Sequence, residues 1–367
     1  MKGGAVPAYP GGEKETRVAA TALHRLVSAI FAGCGMGGED ADLVADTLVT
    51  ADLQGVHSHG TYRVPDYVQR LTTGGVDPRG RPRLAVDGGA VLVVDGGNSM
   101  GQVSTSFAMR SAIERARSTG VAVAAIGGSN HCGAMAYYTR LAAGEGMVGI
   151  ATTDALPTMA PWGGRDRIVG INPLSIAIPG GEEGPLVIDT SFGAAAHGKI
   201  RVYAQKGIPI PGDWALDVDG NPTIDPVEAA RGLIQPVGGH KGVGLAMALG
   251  MMSSLLSGAA YGTELGSLED GARAGRDGHL VMAVRVGAFA DPAEFGRRAD
   301  AAVRQVHDSR PRQGVDRLLV PGELEAECER AFRAGGIPLN DETLDGLRTA
   351  ALDRGVDPFL VGSVTPG

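Results

Sequence analysis

Apolar positions recur along this chain at two periods, and the exchange between them lays out its elements. Ala19, Leu23, Leu26 and Ile30 are spaced four, three and four apart, one face of an amphipathic helix. Val44, Leu48 and Ala51 repeat the spacing behind Glu39, Asp40 and Asp42, acids that suit a helix N-terminus. The pattern predicts two helices over residues 14–54. It then shortens: Leu84–Asp95 reads as two strands around a DGG turn, and Val121–Ile126, Met147–Thr152, Leu174–Ile178, Leu186–Ile188 and Leu280–Val284 read as further strands. Helices are predicted between them at Val103–Ser118, Ala134–Ala143, Ala194–Gln205, 243–257 and Ala293–His307. Residues 207–226 read as loop, and the tail gives two more helices, the second opened by Asn340 as N-cap.

Strands alternate with helices from residue 84 to 308, while helices dominate both ends. The expected fold is α/β, a central mixed-sheet domain with a helix-rich domain built from the two termini. The strands are short and broken by glycine, which fits poorly with a doubly wound parallel sheet. Gly33–Gly38 spells GxGxxG, the dinucleotide fingerprint, but a helix precedes it where that fingerprint needs a strand. We read it as a helix cap and turn.

Composition narrows the function. The chain has 367 residues, 58 of them glycine and only 16 aromatic, with a formal net charge of −8. Acidity without a lysine/arginine block argues against nucleic acid as a partner. Cys34, Cys132 and Cys328 are odd in number and far apart, so no disulfide framework or CxxC metal site follows, and a reducing cytoplasm fits. The N-terminus lacks an apolar core of the signal-peptide kind, and residues 1–13 read as a loose tail. Val243–Thr263 is uncharged and long enough to raise a membrane span. Its four glycines, three serines and missing basic or aromatic belts point instead to a small-residue helix at a domain or subunit contact.

Four clusters concentrate polar chemistry. In GVHSHGTYRVPDY, Pro65 suits a first helical turn, so a helix begins near Val64 with His59 and Arg63 in its entry turn and Tyr67 one turn on. An imidazole, a guanidinium fork fit for a carboxylate and a phenol can then converge. GGSNHCG, residues 127–133, places His131 after a buried strand between glycines. Cys132 reads as small packing, because adjacent side chains diverge and His131 is badly placed to activate it. Asp189, Thr190 and Ser191 end a strand. GGHKG, residues 238–242, opens a helix and offers His240 and Lys241 to a phosphate, without the spacing of a nucleotide P-loop.

Taken in order, GVHSHGTYRVPDY, SNHCGAMAYY, TTDALPTMAPWGG, GINPLSIAIP, IDTSFGAAAHGKI, PVGGHKGVGLAM and VPGE resemble the malate/L-lactate dehydrogenase family that lacks a Rossmann fold. Its members include ureidoglycolate and sulfolactate dehydrogenases, diketogulonate reductase and a cyclic-imine reductase. The resemblance runs from about residue 15 to 355. It implies a cytoplasmic, metal-free homodimer that uses NAD or NADP to oxidise 2-hydroxy acids or reduce 2-keto or 2-imino acids. It also implies an NAD(P)-binding domain at 123–308 and a helix-rich substrate and dimerisation domain at 14–122 plus 309–367.

The matching motifs imply His131 as general acid/base and His59, Arg63 and Tyr67 around the substrate. They imply Asp189, Thr190, Ser191, His240 and Lys241 at the cofactor. Two positions depart from the family: Cys132 replaces a common aromatic, and Asp154-Ala155 lacks a common serine. Two other classes fit parts of the pattern, a metal-dependent hydrolase using His57, His59 and His131, and a non-catalytic nucleotide-binding protein.

Overall fold

The computed structural model describes residues 15–268 and 270–358. The loose tail expected at 1–13 lies outside the described residues. The chain opens with β1 (Thr16–Val18), α1 (Ala20–Gly33) and α2 (Gly38–Leu53), and two 3₁₀ turns, His57–His59 and Thr61–Arg63, lead into α3 (Val64–Thr73). Next come β2 (Arg83–Gly88), β3 (Val91–Asp95), α4 (Gly101–Thr119), β4 (Val121–Ser129), α5 (Ala136–Gly144) and β5 (Met147–Thr153). Then follow β6 (Pro157–Met159), β7 (Val169–Gly170), β8 (Leu174–Ile178), β9 (Leu186–Thr190), α6 (His197–Lys206), β10 (Ala215–Leu216), β11 (Pro222–Thr223), α7 (Pro226–Arg231) and β12 (Leu233–Ile234). The last elements are α8 (His240–Leu255), β13 (Asp277–Arg285), α9 (Pro292–His307), α10 (Glu323–Gly335), β14 (Ile337–Leu339) and α11 (Asp341–Asp353).

The helical spacing read at the N-terminus closes a core. Leu23, Val27 and Ile30 of α1 and Val44 and Leu48 of α2 are buried with Phe332, Ile337 and Leu347 from the other end of the chain. β1 and β14 pair antiparallel, Arg17 opposite Pro338, and tie the two termini together. The hexapeptide Gly33–Gly38 is the turn between α1 and α2, with Gly35 in the left-handed region, and no strand precedes it.

The second body is a seven-stranded sheet in the order β2-β3-β4-β13-β5-β8-β9. Only β3–β4 is parallel; every other pair is antiparallel. The sheet is therefore mixed, as expected, and it includes the β2–β3 hairpin from the N-terminal side of residue 123. Its alternating side chains divide by face. Ala122, Ala124 and Ile126 of β4 and Val281 and Ala283 of β13 pack under Ala108, Met109 and Ala112 of α4. On the other face α8 lies close, its Ser253 hydroxyl 3.5 Å from that of Thr152.

One expectation is corrected and one made more definite. Residues 207–226 are not all loop: β10 and β11 form a small sheet with β12. Strands of two residues are too short to show an alternation. The helix expected at 243–257 starts at His240, and only one of its faces is buried within the chain. Gly242, Val243, Ala246 and Gly250 face inward, while Leu245, Met251, Met252 and Leu255 are exposed. No helix among the described residues is long and apolar enough to cross a membrane.

Candidate active site

The site begins with Asp52, a carboxylate only 1% exposed near the end of α2. Its Oδ1 lies 2.8 Å from His57 Nδ1, and its Oδ2 accepts from the Thr61 amide at 2.8 Å and the Thr61 hydroxyl at 2.7 Å. One buried acid thus ties down both 3₁₀ turns. Gly60 sits between those turns, and a Cβ there would stand 2.0 Å from Asp52 Oδ1, so the loop accepts no side chain at that point. Burial opposes charge on His57, but the hydrogen bond and charge of Asp52 outweigh it and raise the His57 pKa.

The tied loop delivers three predicted residues. Pro65 lies in the first turn of α3, as the sequence led us to expect, and Arg63 stands at its N-cap. Arg63 donates from Nε to the Ser58 carbonyl at 2.9 Å and from Nη1 to Asp66 at 3.1 Å, and so is oriented on two sides. The His59 and His131 rings stack with centroids 5.9 Å apart at 13°. Tyr67, 1% exposed, reaches His131 Nδ1 at 2.6 Å. Gln102 donates to the Tyr67 hydroxyl at 3.1 Å, and the Gly133 amide points at the same Nδ1 from 3.4 Å. With two donors on its Nδ1, His131 is held as the neutral tautomer that carries its proton on Nε2.

The His59 Nδ1 lies 3.0 Å from the Ser58 hydroxyl, which can accept its proton and leave Nε2 as a lone-pair acceptor. Burial first, and then the Arg63 charge, push His59 down to about 4. Burial, with the charges of His59, Arg63, His279 and Arg70 behind it, holds His131 well below the ordinary histidine range. Both rings are therefore neutral near pH 7 until an anion arrives beside them.

His59 and Ser58 line a cavity of about 220 Å³. Asp189, Thr190 and Ser191 line it too, as do Arg140 and Glu325. The Asp189 carboxylate accepts the Ala136 amide at 2.7 Å, an acid at the N-terminus of α5. Its side chain opens on the cavity while protein surrounds it, and this burial raises its pKa against the pull of the Ala136 and Met135 amides.

The remaining expected residues lie elsewhere. His240 and Lys241 are exposed at the start of α8, with Trp162 edge-on to the His240 ring at 6.1 Å, and neither lines this cavity. His57 is taken up by Asp52 and stacks on Phe332. Among the described residues no group of three or more His, Cys, Asp or Glu could hold a metal ion. Asp154 is buried and accepts from the Gly262 amide and the Ser254 hydroxyl, bracing the end of α8.

Cys132 is 2% exposed, and burial pushes its thiol up. Native protein should therefore resist iodoacetamide at Cys132 at pH 7.5 while the unfolded chain reacts; fast native labelling, read by peptide mass spectrometry, would overturn the packing role. Sequence reading missed Asp52, Ser58, Gln102 and Arg140. Ser58 stands inside the HSH motif, and Arg140 is the one charge in α5, AYYTRLAAG, which is a usable signal. Asp52 and Gln102 carry no local mark.

Comparison with known proteins follows the same lines. A family model described as malate/L-lactate dehydrogenase matches residues 18–348. The chain is 35% identical over 333 residues to L-sulfolactate dehydrogenase of Methanocaldococcus jannaschii, covering 91% of this chain and 96% of that one. It is 32% identical to the NAD(+) ureidoglycolate dehydrogenase of Escherichia coli K12, covering 92% and 96%. The solved structure of a malate dehydrogenase from Entamoeba histolytica superposes with a TM-score of 0.90 at 29% identity, over 94% of this chain and 99% of that one.

Proposed function

Because the chain belongs to the malate/L-lactate dehydrogenase family, we propose that it interconverts a small 2-hydroxy acid and its 2-keto acid with NAD or NADP. The observation that carries this reading is the stacked His59–His131 pair beside a cavity bordered by Asp189, Thr190 and Ser191. A bound nicotinamide dinucleotide supplies the hydride for reduction or takes it in oxidation. A carboxylate acceptor and two neighbouring hydroxyl groups suit the polar edge of such a molecule.

The chain's own residues orient the acid and move the proton. Arg63 holds the substrate carboxylate through its guanidinium. The proton, which the sequence reading gave to His131, passes in this proposal through His59. The His59 ring borders the cavity, and its Nε2 can take a proton from a hydroxyl or return one to an oxyanion. His131 cannot accept at Nε2 while Tyr67 donates to its Nδ1. Its Nε2–H instead gives a fixed hydrogen bond that polarises the carbonyl. An arriving substrate anion raises both imidazole pKa values, which loads His59 for reduction.

A panel of 2-keto acids and cyclic 2-imino acids with NADH and NADPH, followed at the nicotinamide absorbance, tests the reading. We expect turnover of at least one 2-keto acid. Turnover confined to the imino acids would move the substrate to the reductase branch of the same site. Cofactor binding with no turnover across the panel would leave a nucleotide-binding protein. Arg63→Lys keeps the charge but loses the fork and the Ser58 contact. It should lower kcat/KM for the keto acid roughly 10–100-fold with cofactor affinity unchanged; equal loss for a substrate analogue without the carboxylate would remove Arg63 from that role. A homodimer would give the exposed, uncharged face of α8 its partner, and light scattering in solution checks the state.

A further inference from the structure

A second cavity, of about 680 Å³, lies beside the first and is walled by Leu186, Leu318 and Leu319 among others. Only two residues line both cavities, Arg140 and Gly322. Gly322 takes a left-handed φ of 96° at the N-cap of α10, in the VPGE segment that the functional reading left without a role. The Pro321 carbonyl accepts the Val187 amide at 3.1 Å, which fixes that segment against the edge strand β9. The junction is thus built from rigid backbone on one side and one arginine on the other.

Arg140 is half-buried where the two cavities meet. Its Nε is buried and has no hydrogen-bond partner among the described residues. Of the acids that line the larger cavity, Glu183 pairs with Arg304, Glu323 with His307 and Glu327 with Arg317. No carboxylate of the described residues forms an ion pair with Arg140. A buried guanidinium N–H without an acceptor is costly, and an anion at the cavity junction would supply one. An arginine fork suits phosphate oxygens.

Resting on the dehydrogenase reading above, we infer that Arg140 binds the diphosphate of the dinucleotide where it passes from one cavity to the other. The nicotinamide half then shares the smaller cavity with His59 and Asp189, and the larger cavity takes the nucleoside at the other end. The diphosphate is common to NAD and NADP, so the contact does not choose between them.

The test is binding, not turnover. NADH and NADPH are titrated by fluorescence, and ADP-ribose and adenosine by calorimetry, against wild type, Arg140→Gln and Arg140→Lys. We expect Arg140→Gln to weaken NADH, NADPH and ADP-ribose roughly 10–100-fold, with Arg140→Lys between it and wild type and adenosine unaffected. The wild-type advantage should shrink as salt rises. Unchanged dinucleotide affinity in a folded Arg140→Gln or Arg140→Lys variant overturns the assignment and leaves the dehydrogenase reading standing. So does a rise in keto-acid KM with no change in cofactor affinity, which would make Arg140 a substrate contact. Wild-type protein that binds neither NADH nor NADPH overturns the dehydrogenase reading and the inference together.

Discussion

Replacing His59 with asparagine is expected to lower kcat for keto-acid reduction by about 10²–10⁴-fold, the usual worth of a positioned acid or base, while cofactor affinity stays near wild type. Asparagine can still reach the Ser58 hydroxyl, so the loop keeps its shape, but it neither gives nor takes a proton. His131→Asn should lose less, because it removes a hydrogen-bond donor. If the order of the two effects is reversed, the proton belongs to His131. The pH profile supplies an independent check. With His59 held down to about 4 by burial and Arg63, the free enzyme keeps its neutral, proton-accepting form across the neutral range. The acid limb of kcat/KM for hydroxy-acid oxidation should therefore lie near pH 4 and disappear in His59→Asn. A limb that remains at the same pH in the variant assigns it to another group.

Asp52→Asn should destabilise the fold by about 3–5 kcal/mol, the range for breaking a buried pair by removing one partner. Asp52 receives three donors from two residues, one from His57 and two from Thr61. An amide has one oxygen to offer, and its NH₂ would face an N–H or O–H that also needs an acceptor. The sign of the pH effect follows from the raised His57 pKa. The stabilisation is complete below the unfolded histidine pKa, roughly 6.5, and fades as pH rises through the higher folded value. Denaturant unfolding of wild type should show that decline above about pH 6.5, and Asp52→Asn should lack it. A variant within about 1 kcal/mol of wild type, an ordinary single-substitution effect, would show that the loop holds its shape without this acid. Activity should fall with stability, because His59 rides on the same loop.

Local signals in the chain specified the elements well. The spacing of Leu23, Leu26 and Ile30 predicted α1, and Pro65 marked the start of α3, because helix periodicity and proline chemistry act within a few residues. The mixed sheet was legible as a class from short, glycine-broken strands. What stayed hidden depends on contacts across the chain. β1 and β14 are three-residue strands whose pairing joins the two termini, and neither has a pattern of its own. The stack of His59 on His131 and the meeting of two cavities at Arg140 are likewise products of packing. The motifs named His59 and His131 separately; their surroundings, Ser58 on one and Tyr67 with the Gly133 amide on the other, are what support the two different roles proposed for them.

The order of the central sheet bears on how the chain is made. β13 lies between β4 and β5 and pairs with both, yet it is the last of the seven strands to leave the ribosome. Until Asp277 emerges, β4 and β5 have no strand between them, and each nascent edge offers unpaired amides and carbonyls to any passing strand. The loop that must close to insert β13 takes in α5, α6, α7 and α8, an entropic delay that contacts near in sequence cannot shorten. His131 lies two residues beyond β4, so the stacked His59–His131 pair cannot be set in place by the nascent chain. Chaperone demand during synthesis, rather than stability once folded, is then the property most exposed to substitutions in β13.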